Sequence, residues 1–269
     1  MIVLLGRNDI LKLNKTFASF IINWQEQAYN PALEHNRYQA GTMYDVHINK
    51  LRYYSQEEVD RINEERLEAY NREKDTMETI PIEDKYIKTL IYNFPYAPIE
   101  NYTENLAAGI LTLAEQLNWE AVLFLLVYPM PWLGQTNEYA PVKKALNYLK
   151  SIGVTDDFTG GIIANGADLE ELLKYLFWIC RCNAALPYCF FSGIETAFAG
   201  NICQYGNIHL HFYSETEMIK IRRAAYDLHM IEIRKCFENF SETGAIEGRR
   251  PVPVKRIAKR RTKPWWKFW

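Results

Sequence analysis

The sequence predicts an α/β or α+β fold, in which a mixed sheet built mainly from the C-terminal half is packed by several helices. Three observations support this prediction. An apolar run bounded by turn residues covers 159–166, helical periodicity continues over 168–186, and β-rich runs follow at 188–194 and 208–213. A strand, a helix and two further strands in that order form the nucleus of such a sheet.

The composition is that of a folded chain with a large core. Of the 269 residues, 48% are hydrophobic and 14% are aromatic, which excludes disorder for most of the length. The longest apolar stretch, 121–133, is interrupted by two prolines and is too short for a membrane span, which needs roughly 20 residues. We therefore expect one α/β body over 1–248, with a seam near 129–141, and an extended basic tail over 249–269.

Cysteine usage indicates a reducing compartment. The chain has five cysteines, an odd number, and its first apolar run is too short for a signal peptide and has no basic flank before it. Reduced thiols are the default for such a chain. We therefore expect free cysteines and a cytoplasmic location.

The first elements are predicted from apolar spacing. The run over 1–7 is expected to be a first strand or the lead-in to a helix, and helical periodicity predicts one helix over 8–27. The polar stretch 31–51 is expected to be a loop with a short strand around 44–48.

A capping box predicts the next helix. Ser55 is followed three residues later by Glu58, and this pair satisfies two backbone amides at a helix start. The helix is expected to run to about Lys74 and, because its apolar positions are few, to be mostly solvated.

The middle of the chain alternates between apolar runs and turn residues. The stretch 86–94 is ambiguous between strand and helix, a helix is expected over 103–117, and 121–128 is a buried element. A further helix over 142–152 is expected to be closed by Gly153 in the left-handed cap position.

Two helices are predicted in the second half. Asp168 with Glu171 forms a second apparent capping box, which starts the central helix. The last long helix is expected over 215–240, after the β-rich run that ends at Tyr213.

His209 and His211 alternate with apolar residues on a predicted strand, so both side chains point to one face. Two imidazoles in this arrangement suit a metal such as zinc if a third donor approaches, and Cys189, Cys203 and Glu195 are near in sequence. The favoured interpretation is a half-polar sheet face with hydrogen-bonded imidazoles. No metal and no cofactor are therefore predicted.

The turn at 165–168 leads from a predicted strand into a helix. Free amide hydrogens and the helix dipole at such a start suit a phosphate or carboxylate. If the strands at 160–164 and 188–194 were parallel neighbours, one pocket would form there. Its predicted ligand-binding residues are Asn165, Gly166, Asp168 and Thr196, with Ser192 and Glu195 beside them. Asp168 would repel an anion, and no phosphate-loop glycine pattern is present.

No catalytic signature occurs in the sequence. Ser192 lacks the glycine two positions earlier that a nucleophile elbow needs. Cys180 and Cys182 are two apart on a predicted helix and therefore face different ways. The interpretation leans away from an enzyme, and the catalytic candidates that remain are His209, His211, Glu195 and Ser192.

The tail from Arg249 to Trp269 differs sharply from the rest in charge. Nine of the 31 Lys and Arg residues lie in it, and none of the 33 Asp and Glu residues. The body over 1–248 therefore has 22 basic against 33 acidic residues, a balance of −11. The basic tail residues are Arg249, Arg250, Lys255, Arg256, Lys259, Arg260, Arg261, Lys263 and Lys267.

Aromatic residues crowd the last five positions of the sequence, namely Trp265, Trp266, Phe268 and Trp269. Left in water, these rings would expose a large apolar surface, so a complementary surface is expected to receive them. The favoured partners are an acidic protein surface, on this body or on a neighbouring copy in a homo-oligomer, and nucleic acid. An anionic membrane surface ranks below both.

These observations favour a non-enzymatic interaction or assembly protein whose cationic tail docks on an anionic partner. The alternative is a small-molecule- or nucleotide-binding protein, or an enzyme, with a pocket near Asn165, Ser192, Glu195, His209 and His211.

Overall fold

Eight strands form one sheet in the computed structural model of the chain. The structure describes residues 1–45, 50–76, 86–183, 188–238, 240–241 and 243–249. They fall into two compact units, one formed by residues 1–20 with 86–249, apart from the gaps just given, and the other by 21–45 with 50–76. The predicted tail therefore lies outside the described residues, except for Arg249.

The described part of the chain contains seven α-helices and ten strands. The helices are α1 Arg7–Leu13, α2 Lys15–Tyr29, α3 Gln56–Glu73, α4 Ile99–Gln116, α5 Ala140–Ser151, α6 Gly166–Cys182 and α7 Glu215–Asp227. The strands are β1 Ile2–Leu5, β2 Gly41–Asp45, β3 Lys50–Tyr54, β4 Lys88–Asn93, β5 Val122–Leu126, β6 Gly161–Ala164, β7 Cys189–Gly193, β8 Phe198–Ile202, β9 Ile208–Phe212 and β10 Ile231–Ile233.

The large sheet has the order β1-β6-β5-β7-β8-β9-β4-β10, and each neighbouring pair is antiparallel. Five of its strands follow residue 160, which confirms the prediction of an α/β or α+β fold with its sheet mainly in the C-terminal half. The assumed adjacency of β6 and β7 is wrong, because β5 lies between them and pairs with both. The fully buried apolar run of β5 occupies that interior position.

The two faces of the sheet are covered by different helices. His211 lies opposite Thr89 in register, so their side chains share a face. Phe20 of α2 packs on this face, with its ring centroid 4.9 Å from that of His211. The opposite face carries Phe198, whose ring centroid lies 4.9 Å from that of Trp119, just after α4.

The helix predicted over 8–27 is two helices. Asn14 breaks it with an extended backbone, φ −143° and ψ 108°. Its side-chain oxygen accepts a hydrogen bond from the amide of Phe17 at 2.8 Å, which caps the start of α2. Asparagine competes with the helical backbone for such bonds, and this competition interrupts the helix at Asn14. The apolar periodicity continues across the break, so it predicted a single helix.

The last long helix, predicted over 215–240, ends at Asp227. His229 has φ 56°, its amide bonds to the carbonyl of Tyr226, and the amide of Met230 bonds to that of Ala225. This is a Schellman cap. Histidine occupies the position where glycine is usual, so the residue pattern contains no stop signal there, and the helix prediction covered the residues that form β10.

The second unit contains the hairpin of β2 and β3 and the whole of the charged helix α3. The capping box of Ser55 and Glu58 is confirmed. The helix is not solvated all round, because Arg66 is buried, with its guanidinium 4.3 Å from the ring centroid of Tyr38 and a hydrogen bond to the carbonyl of Asn36. The strand predicted near 44–48 lies partly outside the described residues; β2 ends at Asp45.

Candidate functional site

Ser192 and Thr196 lie together inside the protein, where Asn14 joins them. Ser192 is fully buried, and its hydroxyl donates to the carbonyl of Phe198 at 2.6 Å. Thr196 donates to the carbonyl of Gly193 at 3.0 Å. We call Asn14, Ser192 and Thr196 the inner polar cluster.

Asn14 completes this cluster. Its side-chain amide donates to the hydroxyl of Ser192 at 3.3 Å and to the carbonyls of Gly193 and Thr196 at 2.8 and 2.9 Å. A hydroxyl that already donates its hydrogen bond to a backbone carbonyl has no further donor for a ligand. The hydrogen bonds of Ser192 therefore stabilise the fold.

Asn165 and Asp168 lie at the start of α6, beside Met1. The amino group of Met1 lies 2.9 Å from the side-chain oxygen of Asn165 and 2.5 Å from the carboxylate of Asp168. The predicted capping box of Asp168 and Glu171 is wrong, because Asn165 is the N-cap and makes no side-chain cap hydrogen bond. Gly166 supplies the positive φ, 55°, with which the helix starts.

Glu195 directly precedes Thr196 but does not share its buried position. It is exposed in the turn between β7 and β8, with φ 61°. The residues of the predicted pocket therefore lie at the start of α6, in the inner polar cluster, in this turn and at the two histidines of β9.

His211 is packed in the sheet face as the sequence suggested. Its Nδ1 lies 2.8 Å from the hydroxyl of Thr89, and its Nε2 lies 3.4 Å from the side-chain oxygen of Asn201. Burial, with a smaller contribution from His209, lowers the pKa of His211 to about 3. The imidazole is therefore neutral at physiological pH.

His209 has a different set of neighbours. Its Nε2 lies 2.9 Å from the sulfur of Cys236, and that sulfur lies 3.7 Å from the sulfur of Cys203. All three donor atoms lie within 4.8 Å of one another. We call Cys203, His209 and Cys236 the sulfur–imidazole cluster.

The hairpin of β8 and β9 places two members of this cluster on one face. Asn201 lies opposite His209 in register, and Cys203 is two residues further along, so its side chain returns to the same side. The turn between the strands is closed by backbone bonds of Cys203 with Asn207 and Gly206, both at 2.9 Å. Gly206 has φ 78°, and an added Cβ there would approach Tyr102 to 3.0 Å.

The third member, Cys236, lies on the segment after β10, which a buried ion pair holds in place. Arg181 of α6 contacts both carboxylate oxygens of Glu238, at 3.0 and 2.9 Å, and their side chains are only 4% and 7% exposed. The same guanidinium donates to the carbonyl of Gln204 in the hairpin turn at 2.9 Å. Asn207 donates to the carbonyl of Phe237 at 3.1 Å.

Burial controls the protonation of this cluster. It raises the pKa of Cys236 to about 12, with a further contribution from Cys203, and it lowers the pKa of His209. Near neutral pH Cys236 is therefore a neutral thiol beside the neutral imidazole of His209.

Only part of this cluster was predictable from the residue pattern. The same-face histidines were the useful signal, and Cys203 was among the proposed third donors. Cys189 is instead hydrogen-bonded to the free thiol of Cys180, and this hydrogen bond together with burial raises the pKa of Cys189. Cys236 was missed because its segment was predicted to be helical.

No protein-family model, no curated protein and no solved structure matched the chain. Among the described residues, no helix combines the length and apolar character that crossing a bilayer requires.

Proposed function

We propose that the protein is a non-enzymatic interaction or assembly protein of the cytoplasm, whose tail over 249–269 docks on an anionic partner. The observation that carries this proposal is the joint composition of that stretch. Nine basic residues, no acidic residue and three tryptophans occur within it. The cationic side chains alone are well solvated in water, but the apolar indole rings require a surface that buries them.

Two partner classes meet both requirements. An acidic protein surface offers carboxylates for the cations and apolar pockets for tryptophan anchors. A single-stranded nucleic acid offers phosphates and exposed base faces on which rings stack. In both cases binding is expected to weaken steeply with salt.

The described body supports the protein-surface option. Helix α3 exposes many more acidic than basic side chains, so it offers carboxylates to a basic segment of another copy. Its exposed acidic residues are Glu57, Asp60, Glu64, Glu65 and Glu68. Arg249 itself also contacts the body, since its guanidinium donates to the carbonyl of Arg181 at 2.5 Å, so a truncation that starts at residue 250 leaves this contact intact.

The test compares the full chain with a variant lacking 250–269 at low and moderate salt. We expect the full chain to bind a fluorescent single-stranded oligonucleotide or to self-associate in light scattering, and the shortened chain to do neither. If the two chains bind the oligonucleotide equally and have the same number of subunits per particle, the proposal is contradicted. Retained binding after Lys144→Gln and Lys150→Gln, which remove two exposed cations of α5, shows that general charge loss is not the cause.

A second variant separates the rings from the charges. Replacing Trp265, Trp266 and Trp269 by serine leaves all nine cations in place. If binding survives this change unaltered, the segment acts as a simple polycation and the docking proposal fails.

The alternative of a small-molecule or nucleotide pocket has less support. Ser192 and Thr196 bond to backbone carbonyls, and Asn165 and Asp168 bond to the amino group of Met1.

A further inference from the structure

We propose that Cys203, His209 and Cys236 bind one zinc ion, with water in the fourth coordination position. The proposal is independent of the tail, because all three ligands lie in the described body. It assigns a chemical role to the sulfur–imidazole cluster.

The separation of the two sulfurs fits a zinc ion. With Zn–S bonds of about 2.3 Å in a tetrahedral site, the two sulfurs lie about 3.8 Å apart. The sulfurs of Cys203 and Cys236 are 3.7 Å apart. No movement of either segment is needed to bring the two sulfurs into position.

The imidazole needs a small adjustment. A tetrahedral site places a ligand sulfur and a ligand nitrogen about 3.6 Å apart, whereas the Nε2 of His209 lies 2.9 Å from the sulfur of Cys236. The ring must therefore withdraw by several tenths of an ångström. His209 is only half-buried, so its side chain has room to do so.

The donor types select the metal. Two thiolates and an imidazole favour zinc and other soft or borderline ions over magnesium and calcium, which prefer oxygen ligands. Three protein ligands leave one position open, which is the pattern of zinc sites that hold a water.

The surroundings hold the ligands in place. The side-chain amide of Asn207 lies 3.7 Å from the sulfur of Cys203, where its N–H stabilises a thiolate. The ion pair of Arg181 with Glu238 holds the segment of Cys236 against the hairpin turn. Partners of this kind orient metal ligands and raise affinity.

The competing chemistry is a disulfide between Cys203 and Cys236. That bond requires a sulfur separation of about 2.05 Å, so the two sulfurs would have to approach each other by more than 1.5 Å from the 3.7 Å observed. Reduced full-length protein distinguishes the two states, since only the dithiol binds zinc.

The first experiment uses the unaltered full chain, purified with reductant and dialysed against zinc. We expect about one zinc per chain by mass spectrometry of metals. With cobalt in its place, we expect the intense thiolate-to-cobalt absorption of a two-sulfur site. Zinc should also protect Cys203 and Cys236, but not Cys180, from alkylation.

The second experiment uses Cys203→Ser, His209→Gln and Cys236→Ser, with Cys180→Ser and His35→Gln as matched controls outside the cluster. We expect each ligand variant to bind zinc at least about 100-fold more weakly, while the controls keep wild-type affinity. Wild-type protein without bound zinc, ligand variants that retain it, or a Cys203–Cys236 disulfide under reducing conditions would each overturn the proposal. A shortened chain lacking 250–269 should still bind zinc, so this result and that of the tail are separable.

Discussion

The inner polar cluster and the sulfur–imidazole cluster lie on the same sheet face but differ in what their polar atoms contact. In the first, side-chain donors reach backbone carbonyls at 2.6–3.0 Å. In the second, two sulfurs and a ring nitrogen converge on one another. The hydroxyls of the inner polar cluster already donate hydrogen bonds to the backbone. The sulfur–imidazole cluster brings together three atoms that can coordinate a metal ion.

This difference separates structural from functional polar groups. Ser192 looked functional in the sequence because it is a hydroxyl near a predicted strand end, yet its bonds stabilise a turn. Cys236 had no such signal, yet its sulfur completes the group with metal-ligand geometry. Burial and residue type alone do not distinguish the two cases; the partners of each polar atom do.

The largest expected effect tests what holds the sulfur–imidazole cluster. Glu238→Ala leaves the guanidinium of Arg181 buried without its carboxylate, so the free energy of unfolding should fall by about 3–5 kcal/mol. Zinc affinity should fall as well, because Cys236 loses its support. Urea unfolding and zinc titration measure the two changes.

Glu138→Ala is the matched control, because it removes an exposed ion pair with Lys143. Such pairs contribute less than about 1 kcal/mol. Equal losses for the two variants would show that the buried pair does not hold the segment.

The next effect tests the inner polar cluster. Asn14→Ala removes the donor to Ser192, Gly193 and Thr196 and the cap of α2, so the free energy of unfolding should fall by about 2–3 kcal/mol. Zinc binding should not change. Asn8→Ala, at an exposed position of α1, should be near neutral in the same urea titration, and a zinc loss in Asn14→Ala would mean that the two clusters are coupled.

A smaller effect concerns the support beneath the hairpin turn. The hydroxyl of Tyr102 donates to Asn93 and lies 3.0 Å from the carbonyl oxygen of Gly206. Tyr102→Phe should lower the free energy of unfolding by about 1 kcal/mol at neutral pH. Urea unfolding against Tyr96→Phe, an exposed tyrosine, measures the difference.

The same tyrosine predicts an alkaline dependence. Burial raises the pKa of Tyr102 to about 12, against about 10 in the unfolded chain. Its contribution to stability is therefore complete below pH 10 and is lost as the pH rises towards 12. Stability of Tyr102→Phe should fall less over this range, and parallel curves for the two proteins would contradict the assignment.

The smallest effect leaves stability unchanged and concerns thiol reactivity. Burial raises the pKa of Cys182 to about 11, and its thiol donates to the carbonyl of Glu247 at 3.4 Å. Near neutral pH its thiolate fraction should be about 300-fold lower than in the unfolded chain. Alkylation rates measured by mass spectrometry in native and denatured protein test this, and equal rates would exclude a protected thiol.

Local patterns predicted much of the fold. The capping box of Ser55 and the apolar run of β5 depend on neighbouring residues only, and both are present in the structure. The stop of α7 was not predictable in this way, because His229 adopts a conformation that usually requires glycine.

The site depended on contacts that no local pattern contains. The shared face of His209 and His211 followed from strand alternation. Cys236 lies beside His209 only because β10 adds to the sheet beyond β4, which brings the segment after β10 back towards β9. Strand order in an antiparallel sheet is a property of the whole chain, and the sequence offered no motif for it.

The position of β4 has a consequence for synthesis of the chain. Its two neighbours, β9 and β10, follow it by more than a hundred residues. Until they emerge from the ribosome, the backbone groups of β4 have no strand partners, and Leu90 and Tyr92, buried in the finished sheet, face water. Nascent chains that stop before residue 208 therefore carry an unpaired strand that is prone to aggregate, and the final quarter of translation supplies its partners.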